Sequence, residues 1–323
     1  MPLSASAGFA GLPAEDQALL RDFLDRRPAA ERDAVATRFA RLCDDPAFTS
    51  LPPAGRHALV LAAARYDDVG DALRRLAGAS WFRAQSSADQ VRSGRLIAAA
   101  ASRAHTSQAP LQARILTNTL GQLLPPGRFT LAWADLDRPD DGITLWGRAQ
   151  DGRLLLARAV DGLAVDADAD GHTDARDLAD GSSAARQLFF GTLVHEVNHL
   201  VNGLHNASYA RFVDEYRAWY VEICATFGRV PTRGEAWSRC QELLGRAYPD
   251  LQAALRAVDT SGNLPHPTED GTSILKFLGE FYRDGHEPDP RAVASAVRVT
   301  GPWHIPNQPF APAPEPSGNL DNR

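Results

Sequence analysis

The chain has 323 residues, enough for two domains of ordinary size, and its 44% apolar and 23% charged content is that of a globular protein. A net charge of −6 gives no reason to expect nucleic acid or an anionic membrane surface as partner, and no apolar run of ~18 residues exists to span a bilayer. Cys43, Cys224 and Cys240 are too few and too scattered for a disulfide framework and lack CxxC spacing, so they are expected to stay reduced and partly buried. The N-terminus, MPLSASAGFAGLPAEDQ, lacks the basic and apolar regions of a secretory signal. A cytoplasmic protein is expected, or one exported without a cleaved signal, as a bacterial effector would be. Basic residues are almost all arginine, with Lys276 the sole lysine, a bias that GC-rich bacterial genomes impose.

The first third reads as helical and repetitive. FAGLPAEDQALL (9–20), FTSLPPAGRHAL (48–59) and FRAQSSADQVRS (82–93) each open with Phe and pass through a helix-start cluster of Pro or Ser. Gln17, Arg56 and Gln90 then stand at one offset, and RLCDDPAF (41–48) aligns with RLAGASWF (75–82) without a gap. A period of roughly 34–39 residues is the size of a helix–turn–helix unit that buries its apolar face by stacking. Such an array is expected to act as a scaffold or to dock a protein partner. Composition shifts at Pro125-Pro126-Gly127. Three strand-like runs follow, RFTLAWADL (128–136), GITLWGRA (142–149) and GRLLLARAV (152–160), the last two joined by an Asp151-Gly152 hairpin signal.

Residues 166–177, DADADGHTDARD, have the spacing of an EF-hand-type calcium loop, with acids at positions 1, 3, 5, 9 and 12 and Gly171 at 6. The loop resembles single dockerin-type loops, which also end in Asp, although Thr173 departs from the branched apolar residue usual at position 8. Asp166, Asp168, Asp170, His172, Asp174 and Asp177 are the candidate calcium residues. A solvated acidic turn is the competing reading.

A helix over 183–202 carries VHEVNH (194–199), and Asn202-Gly203 is its natural stop. Residues i and i+4 share one helical face, so His195 and His199 can both point at one ion. Zinc accepts neutral imidazoles and keeps a position open for water in catalytic sites, and Glu196 is placed to act as general base. Phe190, Leu193, Val197, Leu200 and Leu204 form an apolar stripe opposite the histidine pair. So apolar a helix belongs in an interior, where a second layer would cover the histidine face. A further helix spans 208–227, with Phe212, Tyr216, Trp219 and Ile223 as its core stripe. More helices are expected over 233–258 and 272–283, and the Pro-rich tail from Pro302 is expected to be disordered.

LVHEVNHLVN, with strands before it and FVDEYRAWYVE (212–222) after it, resembles the zincin metallopeptidases over roughly 128–227. The resemblance implies a small twisted sheet backed by the active-site helix, zinc ligation by His195 and His199, and Glu196 as base. The third ligand is expected to be Glu215, with His205 and Glu222 as the alternatives. His205 completes HExxHxxNxxH in the manner of metzincins, with Asn202 where that branch has Gly. The methionine turn of that branch is missing, because Met1 is the only methionine. Glu215 fits the gluzincin-like Glu-x-x-Ala form with Ala218, although Trp219 stands where an Asp is common. Glu222, two turns along the same face, would be a ligand or would orient a histidine. Tyr216, Tyr220, Tyr282, His266 and His286 are candidates for stabilising an oxyanion.

The expected fold is therefore α+β and mostly helical. It divides into a helical-repeat region (1–125), a zincin-like domain (126–300) and a tail (301–323). The expected function is zinc-dependent cleavage of a peptide or protein substrate. The alternative is a non-catalytic interaction protein with a structural or vestigial metal motif.

Overall fold

A computed structural model of the chain describes residues 3–136, 147–158, 160, 191–202 and 208–229. Over these residues the protein is α+β and mostly helical, with one three-stranded mixed sheet. The expected acidic loop at 166–177, the first part of the motif helix (183–190), His205, the helices at 233–258 and 272–283, Cys240 and the tail lie outside the described residues. No helix among the described residues is long and apolar enough to cross a membrane.

From the N-terminus a short 3-10 turn (Leu3–Ala5) leads into α1 (Ala7–Ala10), α2 (Ala14–Asp25), α3 (Ala29–Cys43), α4 (Pro46–Thr49), α5 (Pro53–Ala63), α6 (Gly70–Gly78), α7 (Ser80–Arg83), α8 (Ser87–Thr106) and α9 (Pro110–Leu123). The repeated phenylalanines mark one recurring device. Phe9, Phe48 and Phe82 each sit third in a four-residue helix, and a longer helix starts five residues after each Phe. All three rings are buried, a gain of about 2 kcal/mol each over leaving them in water. The shared glutamine closes the corner. Gln17 Nε2 donates to the Leu12 carbonyl at 2.9 Å, and Gln90 Nε2 donates to the Phe82 carbonyl at 3.0 Å.

The third copy departs from the pattern where it meets the sheet. Leu12 and Leu51 are matched by Gln85, and the buried pair Leu20 and Leu59 by Ser93. Gln85 Nε2 donates to the Leu131 carbonyl at 2.9 Å, and Ser93 Oγ accepts from the Trp133 indole at 2.9 Å while donating to Gln85 at 2.8 Å. The polar replacements thus bond to the strand that a leucine would leave unsatisfied.

The sheet has the order β1–β3–β2, built from β1 (Thr130–Ala134), β2 (Gly147–Gln150) and β3 (Arg153–Ala157). β1 runs parallel to β3, and β2 pairs antiparallel with it. Asp151 (φ 50°) and Gly152 (φ 73°) both adopt left-handed backbone, as a two-residue type I′ hairpin turn requires. Of the expected strand over 142–149, the part up to residue 146 lies outside the described residues. The motif helix is α10 (Thr192–Asn202), and α11 (Ser208–Phe227) follows it.

α10 packs against α11, α9, β2 and β3 and is covered on both faces. Leu193, Val194 and Val197 are fully buried, and on the other side Thr192, Glu196 and His199 are buried as well, with less than a tenth of their surface exposed. α9 secures α11: the buried Gln112 amide donates to the carbonyls of Ala225 and Thr226 in its last turn. One cluster of buried side chains runs from Leu3 to Ala225, across the composition break at Pro125. Cys43 and Cys224 are free and buried within it, and burial pushes both thiols up to about 12, so neither is an ionised nucleophile.

Asp89 is a joint between helices and sheet. It pairs with Arg92 at 2.8 Å on its own helix and with Arg158, just past β3, at 3.4 Å. Burial alone would raise its pKa, but hydrogen bonds from Arg158, Ser86 and Arg92 outweigh burial and hold it below the ordinary carboxylate value. A depressed folded-state pKa means that the contribution is present above the unfolded value of about 3.9 and is lost as pH falls through the folded value. Asp89→Asn is therefore expected to cost about 1–2 kcal/mol in urea unfolding at pH 7, with the difference from wild type shrinking as the medium is acidified through the depressed folded-state value.

Candidate metal centre

α10 and α11 bring four of the sequence-predicted residues together. The side chains of His195 and His199, one turn apart on α10, face each other with their Nε2 atoms 3.1 Å apart. Glu215 reaches in from α11, with Oε2 at 3.5 Å from His195 Nε2 and 3.8 Å from His199 Nε2. Glu222, two turns further along α11, meets the other ring nitrogen of His195, with Nδ1 to Oε2 at 2.9 Å. In the neutral ring Nδ1 then carries the proton and donates it to Glu222, which leaves the Nε2 lone pair turned toward Glu215 and His199. Nδ1 of His199 is buried and finds no hydrogen-bond partner among the described residues.

Glu196 lies beside this group at 9% exposure. Burial raises its pKa, against the lowering influence of His195 and His199, and its carboxylate accepts from the Ala149 backbone N–H on β2. Two glycines make room for the acids. A β-carbon on Gly147 would stand 2.6 Å from Glu196 Cγ and 2.7 Å from Thr192 Cγ2. One on Gly191 would stand 2.9 Å from Glu222 Cγ and 3.0 Å from its Oε1. Motif spacing does not reveal these residues. A glycine inside a strand, as at Gly147, is nevertheless a known mark of close backbone approach.

The pocket is electrostatically prepared for a cation. Burial by itself would lower the His195 pKa, yet Glu215 and Glu222 on its two sides raise it to about 10. Glu215 is driven well below the carboxylate range: burial opposes this, but hydrogen bonds from His195 and His199 prevail. A divalent ion is a stronger answer than a proton to the same carboxylates. The donor set, two imidazole nitrogens and one carboxylate oxygen, suits zinc, and the three ligand atoms lie within 4.8 Å of one another. A triangle with sides of 3.1, 3.5 and 3.8 Å has a circumscribed radius of about 2.0 Å, the length of a zinc–nitrogen or zinc–oxygen bond.

Tyr220 is buried on α11. The side chain of Tyr216, and His205, His266, Tyr282 and His286, lie outside the described residues, as do the candidate calcium residues Asp166, Asp168, Asp170, His172, Asp174 and Asp177. No protein-family model matches the chain, and no curated protein or solved structure matches it.

Because Glu222 holds the His195 ring from outside the triangle, Glu222→Ala is expected to leave the helices folded and to weaken zinc binding about 10–100-fold in competition with a chromophoric chelator. Gly191→Ala is expected to act in the same direction, since its methyl group displaces the Glu222 carboxylate. Unchanged affinity in both variants would remove Glu222 from the centre.

Proposed function

We propose that the chain is a zinc-dependent hydrolase of the zincin type, gluzincin-like in its third ligand, that cleaves peptide bonds in a peptide or protein substrate. The observation that carries this reading is the triangle of His195 Nε2, His199 Nε2 and Glu215 Oε2, sized for one zinc ion, with the Glu196 carboxylate on the adjoining part of α10. His195, His199 and Glu215 would hold the metal, and Glu222 would fix the His195 ring.

Zinc, when bound, supplies Lewis-acid activation of water and of the scissile carbonyl. Glu196 moves the proton: it accepts one from the attacking water and returns it to the leaving amine. Its raised pKa, a consequence of burial, makes the carboxylate a stronger base toward the attacking water. The Ala149 N–H restrains this carboxylate at the edge of β2. A dry pocket also strengthens every interaction with charge that develops during the reaction.

Glu196→Gln is expected to retain about one zinc per chain and to lower peptide hydrolysis by about 10²–10⁴-fold, measured against a quenched fluorescent peptide library. Glu215→Ala is expected to lose stoichiometric zinc, whereas His205→Ala keeps it. The reverse result would transfer the third ligand to His205, and a purified chain that neither contains nor takes up zinc would sink the hydrolase reading.

A further inference from the structure

A second set of metal-ligating side chains lies where the first and second helical units meet, on elements that contribute nothing to the zinc triangle. Glu15 and Asp16 belong to the first turn of α2, and His57 belongs to α5. Each offers one donor atom, and the three atoms lie within 4.8 Å of one another. We propose that Glu15, Asp16 and His57 form a structural site for a divalent transition-metal ion that ties α2 to α5.

The state of Asp16 carries the argument. The residue is wholly buried, at 0% exposure. Its Oδ1 meets His57 Nδ1 at 2.6 Å, but its Oδ2 is buried with no hydrogen-bond partner among the described residues. A carboxylate oxygen withdrawn from water and left unpaired costs several times what an ordinary hydrogen bond contributes, so such a group calls for a counter-charge.

The helical repeat supplies a control within the same molecule. Asp16 stands seven residues after Phe9, and Asp89 stands seven residues after Phe82. In the third copy the Asp89 carboxylate is compensated by the guanidinium groups of Arg92 and Arg158. In the first copy no arginine pairs with Asp16 among the described residues, and its neighbour Glu15 adds a second negative charge. A dication would supply the positive charge that the two arginines supply at Asp89.

The donors decide which cation. One imidazole and two carboxylates suit zinc, manganese or nickel, whereas calcium and magnesium prefer oxygen alone. The site is open enough to load: the His57 side chain is 38% exposed and Glu15 is exposed, so water can complete the coordination shell. This site is independent of the proposed zinc hydrolase centre and stands or falls separately.

The test uses the full chain with the first centre removed. His195→Ala/His199→Ala is dialysed to equilibrium against zinc chloride, and zinc per chain is measured together with the thermal unfolding midpoint. About one zinc per chain is expected, with a midpoint that rises with zinc concentration. Adding Asp16→Asn, which keeps the side-chain shape, is expected to lower the affinity at least about tenfold and to abolish the rise. His57→Gln, at a more exposed position, is expected to do the same and serves if the Asp16 variant does not fold by circular dichroism. A double-histidine variant that takes up no zinc overturns the proposal, as does a bound zinc that survives both Asp16→Asn and His57→Gln in that background.

Discussion

Three glutamates and two histidines share one interior, and the surrounding structure is arranged to make that tolerable. Glu196, Glu215 and Glu222 have little access to water, so each must find a cation or donor nearby or lose its charge. Each finds a different solution. Glu222 meets the outer nitrogen of His195, Glu215 faces both inner nitrogens, and Glu196 takes the Ala149 N–H while burial raises its pKa. A metal ion within the triangle would complete this compensation. The three acids therefore occupy separate roles because their partners differ, although their chemistry is identical.

Holding five ionisable groups in place requires stiff surroundings. Among the described side chains of α10 none is fully exposed: the sheet, α9 and α11 pack against it, so its side chains have little freedom to turn away. β2 comes so close that a β-carbon on Gly147 would push Glu196 and Thr192 aside, and Glu222 of α11 lies so near Gly191 that one there would displace its carboxylate. The helical units belong to this support. Gln112 on α9 binds the last turn of α11, one turn beyond Glu222, and Gln85 and Ser93 on the third unit hold β1. A scaffold that packs into the same core as the site does more than carry it.

The helical units also show how a repeat changes when its neighbours change. Phe9, Phe48 and Phe82 keep one position and one buried environment, because each short helix must seat the start of a longer one. Leu20 and Leu59 pack in apolar surroundings, whereas Ser93 in the same place meets a Trp133 indole that needs an acceptor. Degeneracy of the third copy in sequence thus coincides with its contact to the sheet. Asp16 and Asp89 diverge in the same way: Asp89 pairs with two arginines, whereas Asp16 pairs with none among the described residues.

Local pattern was enough to read much of this from the sequence. Period-3.6 apolar spacing marked the span of α11, Asp151-Gly152 marked the hairpin because few other pairs accept two left-handed residues, and the four-residue spacing of His195 and His199 put both on one face. Donor types and their order along the chain were likewise legible, since they are properties of residues and helical geometry alone. The sequence favoured Glu215 over Glu222 by the resemblance of its Glu-x-x-Ala segment, and helical spacing did not separate them. Both lie on one face of one helix, and only the angle at which α11 crosses α10 brings Glu215 to the inner nitrogens and Glu222 to the outer one. Nor could it reveal why Gly147 and Gly191 are glycine, because those limits come from segments remote in sequence. Spacing along a helix is fixed by covalent geometry, whereas the distance between elements is fixed by how their side chains pack, and here the tertiary structure decided which carboxylate meets which nitrogen.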